Sequence, residues 1–373
     1  MKILRSTKHS LRFTTQAKST LLQSVLTEYG KVVNIFIEHF WEHGLPKKKK
    51  AGLLKPVVDL PTTWFTARLR KVAAREAIDM IEASKKRDGD KAKKPTHRGT
   101  RMCLSSTIAE LRAPVFATEF DHWLHLASIG NGIVLDIPIR LHKRYLRWAE
   151  CGKRLASYVI TKDYVQLCFE IETGPKPTDG LALGIDSGIK TLASTSDRRA
   201  LGTDIEPFIA RKNRCRWGSK GHKRAQRALQ QRIHEVVRDT INHVQEQGVS
   251  CVVVEDLKNL KYKTKLRRRL SKSMRRTLGA WTYRTWLGRL RMVADANRVC
   301  FRTVPPAYTS QRCHACGHTE RGNRSGVEFK CRECGHSDNA DFNAALNIVE
   351  RFTSGPYGAG FKPLIIGHET GVH

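Results

Sequence analysis

Four cysteines near the end of the sequence form two pairs whose spacing is typical of a metal site. Cys313 and Cys316 make the first C-x2-C pair, Cys331 and Cys334 make the second, and fourteen residues separate the pairs. A glycine follows each pair, so backbone amides can turn back towards the sulfur atoms. Four thiolates can close a tetrahedral shell around Zn²⁺ and leave no coordination position open for catalysis. We therefore predict a structural Zn²⁺ site in a zinc ribbon that covers residues 309–337.

Other residues that could ligate a metal are weaker candidates. Three histidines lie beside the pairs and could replace a thiolate, although four cysteines already complete the shell: His314, His318 and His336. Six further cysteines are scattered singly, and we predict that they are small buried hydrophobic residues: Cys103, Cys151, Cys168, Cys215, Cys251 and Cys300.

Three carboxylates stand at the ends of predicted elements, where burial is costly without a compensating cation. Asp186 ends the apolar segment LALGID, Glu255 ends the β-branched segment CVVVE, and Asp341 falls in the first turn of a predicted helix. Together they could hold two Mg²⁺ or Mn²⁺ ions, which prefer oxygen ligands and promote phosphodiester hydrolysis. Periodicity alone leaves simpler roles open, namely a turn residue, a salt-bridge partner and a charge that complements the helix dipole. Of the neighbouring carboxylates, we expect Asp256 on the opposite side of its strand and Asp338 as the helix cap.

In the second half of the chain, the elements that must position these residues are predicted to alternate between strands and helices. The segment LALGIDSGIKTLASTS predicts two strands joined by a tight turn, and SCVVVEDL predicts a central buried strand. Basic helical stretches cover residues 211–247, and further helices are predicted at about 278–297 and 339–352. This alternation indicates an α/β layer.

The first half of the chain has a different pattern of predicted helices and strands. Apolar residues recur every three or four positions over residues 15–43 and 62–86, which predicts two amphipathic helices, and the basic stretch 85–101 is expected to be a solvated linker. Residues 2–13 and 102–175 read as strands, with hairpin turns predicted at IGNG (129–132) and at Lys162-Asp163. We predict a small β-barrel with a helical insertion.

The charge of the chain favours a polyanionic partner. Lys and Arg number 67 against 35 Asp and Glu, which gives a formal net charge of +32. Nucleic acid is the expected partner, because each phosphate contact releases counterions; charge alone leaves a ribosomal or membrane-surface protein open. No apolar run reaches the roughly 18 residues that span a bilayer, and the N-terminus lacks a signal-peptide core. We expect a cytoplasmic, nucleoid-associated protein with reduced thiols and no membrane partner.

The densest basic segment, residues 258–276, directly follows the Glu255 strand and contains no acidic residue. We predict that it guides a nucleic-acid strand towards the metals, the alternative being a solvated helix face or a disordered loop. The basic runs at 47–50 and 91–94 are expected to touch RNA backbone, and the aromatic residues at 281, 283 and 286 are expected in the core rather than on bases. The candidate nucleic-acid-binding residues are Lys258, Lys261, Lys263, Lys265, Arg267, Arg268, Arg269, Lys272, Arg275 and Arg276.

Four segments resemble the successive motifs of the TnpB proteins encoded by IS200/IS605-type transposons. They read GIDSGIKTLAS, VVVEDLKNL, YTSQRCHACG with FKCRECG, and DNADFNAALNI. The miniature type V CRISPR nucleases of the Cas12 class are similar. The strong resemblance covers residues 181–350, whereas the N-terminal half agrees only in layout. A compact segment at 201–232 and Ser187, where a larger residue is common, depart from the pattern without removing a metal ligand.

The resemblance implies an α/β plus β-barrel fold class. An RNase H-like (RuvC) nuclease domain would comprise 181–308 and 338–355, with the zinc ribbon inserted and with Asp186, Glu255 and Asp341 as its metal ligands. A wedge β-barrel would comprise 1–13 and 101–175, and a helical recognition insertion 14–100. Residues 356–373 are expected to be a flexible tail.

The implied function is that of a transposon-encoded, RNA-guided DNA endonuclease. Its partners would be a guide RNA and double-stranded target DNA, which it would cleave beside a short flanking motif, with Mg²⁺ or Mn²⁺ in the nuclease site. The alternatives are a compact Cas12-like effector, a nuclease-dead RNA-guided repressor and an unguided transposase. The presence of all three carboxylates disfavours the repressor, and a requirement for RNA would separate the guided nuclease from the transposase.

Overall fold

The structure, a computed structural model, describes residues 2–46, 55–116, 119–257 and 283–365. The chain divides into two compact units, Lys2–Glu172 and Thr173–His373. None of the helices in the described ranges combines the length and the apolar character that a membrane crossing requires.

The first unit contains two antiparallel sheets, one of four strands in the order β1-β7-β6-β2 and one of three strands in the order β3-β4-β5. These two separate sheets stand where the sequence predicted one small barrel. The hairpins predicted around residues 129–132 and at Lys162-Asp163 are present, since β4 pairs with β5 and β6 pairs with β7. The strands are β1 (Lys2–Ser10), β2 (Arg101–Ser105), β3 (Ala109–Arg112), β4 (His122–Leu126), β5 (Leu135–Ile139), β6 (Gly152–Thr161) and β7 (Tyr164–Glu172). The helices are α1 (Gln16–His43), α2 (Lys55–Val58), α3 (Ala67–Asp88) and α4 (Lys143–Cys151).

The two long helices of this unit bury the apolar stripes that predicted them. The stripe of α1 from Leu22 to Phe40 is buried, and α1 packs against α3. The prediction that the second helix begins at residue 62 is wrong, because Thr66 caps α3 by accepting a hydrogen bond from the Leu69 amide at 3.3 Å. The solvated-linker prediction for 85–101 is wrong at His97, which is buried beside Glu76.

The second unit is built on a mixed sheet in the order β10-β9-β8-β11-β12, in which β11 pairs in parallel with both β8 and β12. Its strands are β8 (Gly180–Asp186), β9 (Ala193–Thr195), β10 (Ala200–Leu201), β11 (Val249–Glu255) and β12 (Cys300–Val304). Its helices are α5 (Ile205–Arg214), α6 (Lys220–Glu246), α7 (Tyr283–Ala296) and α8 (Ala340–Thr353).

Side chains alternate between the two faces of this sheet, so each face has its own core. Leu183 and Val252 pack against α5, α6 and α7, whereas Ala182 and Val253 pack against α8. A strand that is buried on both faces has to be continuously apolar, which explains the run CVVV before Glu255.

A small antiparallel sheet, in the order β13-β14-β15, lies between β12 and α8 in the sequence. Its strands are β13 (Arg324–Ser325), β14 (Glu328–Lys330) and β15 (Ser337–Asn339). It carries the second cysteine pair on the turn between β14 and β15, within the range predicted for the zinc ribbon.

Three further expectations need correction. Asn339, not Asp338, caps α8, because its side chain accepts hydrogen bonds from the Asp341 and Phe342 amides. The tail prediction is wrong for β16 (Phe361–Pro363), which pairs in parallel with β8. Of the six single cysteines, Cys251 and Cys300 are buried, whereas Cys151 is exposed and the other three are half-buried.

Candidate functional site

The three predicted carboxylates lie at one edge of the sheet and line the same cavity. Asp186 ends β8 and Glu255 ends β11, and these strands are paired in parallel, so both carboxylates reach the same edge. Asp341 lies in the first turn of α8, a helix that packs against one face of the sheet, on β8. Their oxygen atoms do not all approach within 4.8 Å of one another, so the three form an open site rather than a closed cluster.

The electrostatics of this edge favour a cation. Burial raises the pKa of Asp186 to about 8, and the neighbouring Glu255 and Asp341 carboxylates add to the effect. Burial also raises the pKa of Glu255. Strand-end carboxylates that are half-buried, as Asp186 and Glu255 are, and that repel one another are stabilised in the ionised form by a divalent cation. Carboxylate oxygens are also the ligands that Mg²⁺ and Mn²⁺ prefer, so the donor set fits these ions.

Two side chains that hold the carboxylates were not predicted. Arg324 of β13 donates a hydrogen bond from Nη2 to Oδ1 of Asp341 at 2.7 Å, in a half-buried ion pair. Thr309 donates its hydroxyl to Oε1 of Glu255. Both residues belong to the segment around the cysteine pairs, and nothing in their sequence context distinguished them from ordinary ribbon residues.

Two aromatic residues of α7, on the face of the sheet opposite α8, form hydrogen bonds at the same edge. Trp286 is fully buried and donates from Nε1 to the Ser187 hydroxyl at 3.0 Å, while Tyr283 donates to the backbone carbonyl of Glu255. The prediction that these two aromatics belong to the core is confirmed. Trp281 lies outside the described residues.

The four predicted zinc ligands come together. Their sulfur atoms all lie within 4.8 Å of one another, and the Cys313–Cys334 and Cys316–Cys331 separations are 3.8 Å and 3.6 Å. Tetrahedral coordination with Zn–S bonds of about 2.3 Å places sulfur atoms about 3.8 Å apart, so the site fits Zn²⁺. Both glycines that follow the pairs adopt positive φ angles, 80° and 72°, as the turns of the two knuckles require.

Two of the three histidines beside the cysteines form a separate group, whereas His318 lies 3.4 Å from Glu320. The rings of His314 and His336 stack with their centroids 4.8 Å apart, and their nitrogens lie close to a carboxylate oxygen of Asp338. Arg198 donates to both oxygens of Asp338, at 2.8 Å and 2.9 Å. This ion pair joins β15 to the turn between β9 and β10, and it accounts for Asp338 without a metal.

The predicted nucleic-acid contacts of residues 258–276 lie outside the described residues, as do those of 47–50. In the basic run at 91–94, Lys94 pairs with Glu38 at 2.6 Å on the surface. RNA contact by that run stays a prediction.

Comparison with known proteins bears directly on the family. The sequence model of the family described as "Cas12f1-like, TNB domain" matches residues 283–348. The chain is 30% identical over 231 residues to the CRISPR-associated endodeoxyribonuclease Cas12f1 of Sulfoacidibacillus thermotolerans, which covers 52% of each chain. It is 30% identical over 244 residues to the putative RNA-guided DNA endonuclease InsQ of Escherichia coli K12, covering 53% of this chain and 54% of the relative. It is 32% identical over 119 residues to a TnpB-like protein of Aquifex aeolicus VF5, covering 31% of this chain and 38% of the relative. The predicted resemblance to TnpB and Cas12 proteins is confirmed.

The matched region spans about half the length of the first two of these relatives. A solved Cas12f1–sgRNA–target DNA complex contains a chain of the same fold, with a TM-score of 0.56 over 90% of this chain and 83% of that chain, at 15% identity. The resemblance to Cas12f1 therefore extends from the sequence to the fold.

Proposed function

We propose that this TnpB-like chain is a metal-dependent, RNA-guided DNA endonuclease. The observation that carries the proposal is the convergence of Asp186, Glu255 and Asp341, from two parallel strands and a helix, on one cavity. Relatives named RNA-guided DNA endonuclease and CRISPR-associated endodeoxyribonuclease support the same activity. The net charge of +32 supports nucleic-acid partners, here a guide RNA and double-stranded DNA.

In this proposal the sheet of the second unit is an RNase H-like (RuvC) domain, and the cysteine-bearing segment is a zinc ribbon inserted between its β12 and α8. The two sheets of the first unit correspond to the wedge barrel, and α1–α3 to the recognition insertion. Cytoplasmic, nucleoid-associated localisation follows from the activity.

The protein's own residues have distinct parts in the proposed reaction. Asp186, Glu255 and Asp341 would hold Mg²⁺ or Mn²⁺, which when bound orient water and stabilise the leaving oxygen of a phosphodiester. Thr309 fixes the rotamer of Glu255 through its hydroxyl. Arg324 supplies positive charge beside Asp341, where it can also meet a phosphate oxygen of the strand. The zinc ribbon places both Thr309 and Arg324, so its zinc has a structural role.

The proposal is tested with the chain expressed beside the DNA that flanks its gene and purified with its bound RNA. We expect the complex to cut a plasmid that matches this RNA, only with Mg²⁺ or Mn²⁺, and only beside a particular flanking sequence. Asp186→Asn should abolish cutting and retain RNA binding. Asp179→Asn, which removes an exposed carboxylate from the same unit, is the matched control and should cut normally. Full cutting by Asp186→Asn, or cutting of plasmids regardless of RNA sequence, would overturn the proposal.

A further inference from the structure

Helices α5 and α6 form a hairpin whose tip carries an exposed tryptophan. Trp217 lies in the connection between the two helices and is 83% exposed, and its ring lies tilted against the ring of His222 at a centroid distance of 4.8 Å. Gly218 turns the chain with φ of 77°, and Ser219 caps α6 by accepting from the His222 amide. The turn therefore holds the indole outwards on an ordered helix end.

The surroundings of this indole are strongly basic. Residues 207–231 contain eight Lys and Arg residues and no Asp or Glu. Six of the eight are exposed and lie within seven residues of Trp217 along the chain: Arg211, Arg214, Arg216, Lys220, Lys223 and Arg224. Such a concentration of like charge is costly in the free protein and is relieved by a polyanion.

Two contacts, one near the C-terminal end of α6 and one near its middle, fix its direction along the sheet. Near the C-terminal end of α6, Nε2 of His243 lies 2.5 Å from a carboxylate oxygen of Asp197. Asp197 belongs to the turn between β9 and β10, which lies at the edge of the sheet opposite the three carboxylates. Further towards the N-terminal end of α6, Arg232 pairs with Asp204 at 2.9 Å. In the sheet, Asp186 pairs with Ser194, and the preceding residue of β9, Ala193, pairs with Leu201 of β10. Asp204 follows Leu201 in the chain, so it lies on the carboxylate side of the sheet, beyond the level of Asp186.

The tip of the hairpin therefore projects from the carboxylate edge of the sheet. Arg232 lies twelve positions after Lys220, the first residue of α6, so at 1.5 Å per residue the part of the helix that leads from Arg232 to the tip is about 18 Å long. A strand that enters the carboxylate cavity from this side passes the tip.

The composition of the exposed surface of the α5–α6 hairpin indicates which class of partner it binds. Trp217 is the only large hydrophobic side chain that is exposed between residues 205 and 246, all of which the structure describes. A protein or membrane partner requires a contiguous apolar patch, which an isolated indole does not provide. One exposed aromatic ring among cations is the arrangement that binds single-stranded nucleic acid, with a base stacked on the ring and phosphates on the cations.

We propose that the α5–α6 tip is a binding site for a single DNA strand on its way to the carboxylates, with one unpaired base stacked on Trp217. The identity of the strand as DNA rests on the proposed function, whereas the stacking site itself rests on the geometry of the hairpin. Duplex DNA does not offer an unpaired base, so the site distinguishes an opened strand from a closed one.

The test uses the full chain with its bound RNA, carrying Asp186→Asn so that nothing is cut. Fluorescence anisotropy measures its affinity for a labelled 20-nucleotide oligo(dT) that has no complementarity to the guide. We expect Trp217→Ala to weaken binding by roughly 5- to 150-fold, the range for loss of one base–aromatic stack, and Trp217→Phe to retain most of the affinity. Tyr357→Ala, which removes another exposed aromatic ring of the same unit, is the matched control and should bind normally.

The cations provide an independent readout. Arg216→Gln with Lys220→Gln should reduce the slope of log affinity against log salt by about 1.4, which is about 0.7 for each lost phosphate contact with a single strand. Trp217→Ala should leave this slope unchanged, because stacking releases no counterions. Both substitutions are on exposed side chains, and circular dichroism should show an unchanged fold.

Unchanged oligo(dT) affinity in Trp217→Ala would overturn the stacking site, even if guided cutting by the wild-type catalytic site is normal. Weakened binding of oligo(rU) with unchanged binding of oligo(dT) would overturn the assignment to DNA. Absence of guided cutting in the chain with Asp186 intact would instead refute the proposed function, and the oligonucleotide measurements would still decide the stacking site.

Discussion

Replacing Asp186 by Asn should stabilise the Mg²⁺-free protein while removing its activity. In the folded protein the pKa of Asp186 is raised from 3.8 to about 8, mainly by burial. As the pH rises above 3.8, the unfolded chain releases this proton while the folded chain keeps it. The free energy of unfolding therefore falls with rising pH, by about 1.4 kcal/mol per pH unit, until the folded carboxyl ionises near pH 8.

Asn stays uncharged in both states and removes this penalty. At pH 7 the difference is on the order of 4 kcal/mol, which for a unit of this size corresponds to roughly 10 °C in melting temperature. The stabilisation should shrink towards zero near pH 4, where the wild-type carboxyl is protonated in both states. Saturating Mg²⁺ should make the wild type the more stable of the two proteins. Mg²⁺ stabilises the folded wild type by binding to its carboxylates, and it binds the variant only weakly.

The assay is thermal unfolding of wild type and Asp186→Asn at several pH values between 4.5 and 8, without Mg²⁺ and without a chelator, so that zinc is retained. Asp179→Asn serves as the exposed-carboxylate control, and we expect its stability to change by no more than about 0.5 kcal/mol. Equal melting temperatures of wild type and Asp186→Asn across this pH range would refute the reasoning that burial holds the Asp186 carboxyl protonated.

Three further predictions concern the residues around the site. Cys331→Ser should lower bound zinc from one ion to none per chain and unfold the ribbon, measured by elemental analysis and proteolysis; a folded variant without zinc would contradict a structural role. Arg324→Ala should tighten Mg²⁺ binding several-fold, because it removes the cation that competes for Asp341, as isothermal titration calorimetry would show; weaker binding would argue against competition. Asp197→Asn should cost about 1–3 kcal/mol of stability, measured by denaturant unfolding, because it weakens the buried hydrogen bond with His243; a loss below about 0.5 kcal/mol would contradict its structural importance.

The sequence predicted the parts of this protein that depend on local pattern. The carboxylates at the ends of β8 and β11 were identifiable because a buried parallel strand is continuously apolar and its terminal charge stands out. The cysteine pairs were identifiable because metal geometry restricts their spacing. The stripe of α1 was identifiable because burial on one helix face repeats every three or four residues.

Features that depend on tertiary contacts were not predicted. Arg324 and Thr309 reach the carboxylates only because the ribbon folds over the sheet edge, and no local signal marks them. Asp338 has the sequence position of a helix cap, but its ion pair with Arg198 takes both oxygens, and Asn339 caps α8 instead. Residues 361–363 resemble an unstructured tail in composition, yet they complete the edge of β8.

The most direct test of the central proposal is to sequence the RNA that co-purifies with the chain when it is expressed beside the DNA that flanks its gene. We predict one discrete RNA that ends in sequence from outside the gene and whose terminal segment directs plasmid cleavage. Heterogeneous RNA that high salt removes, with no enriched species, would contradict guided recognition and would leave the +32 charge as general affinity for nucleic acid.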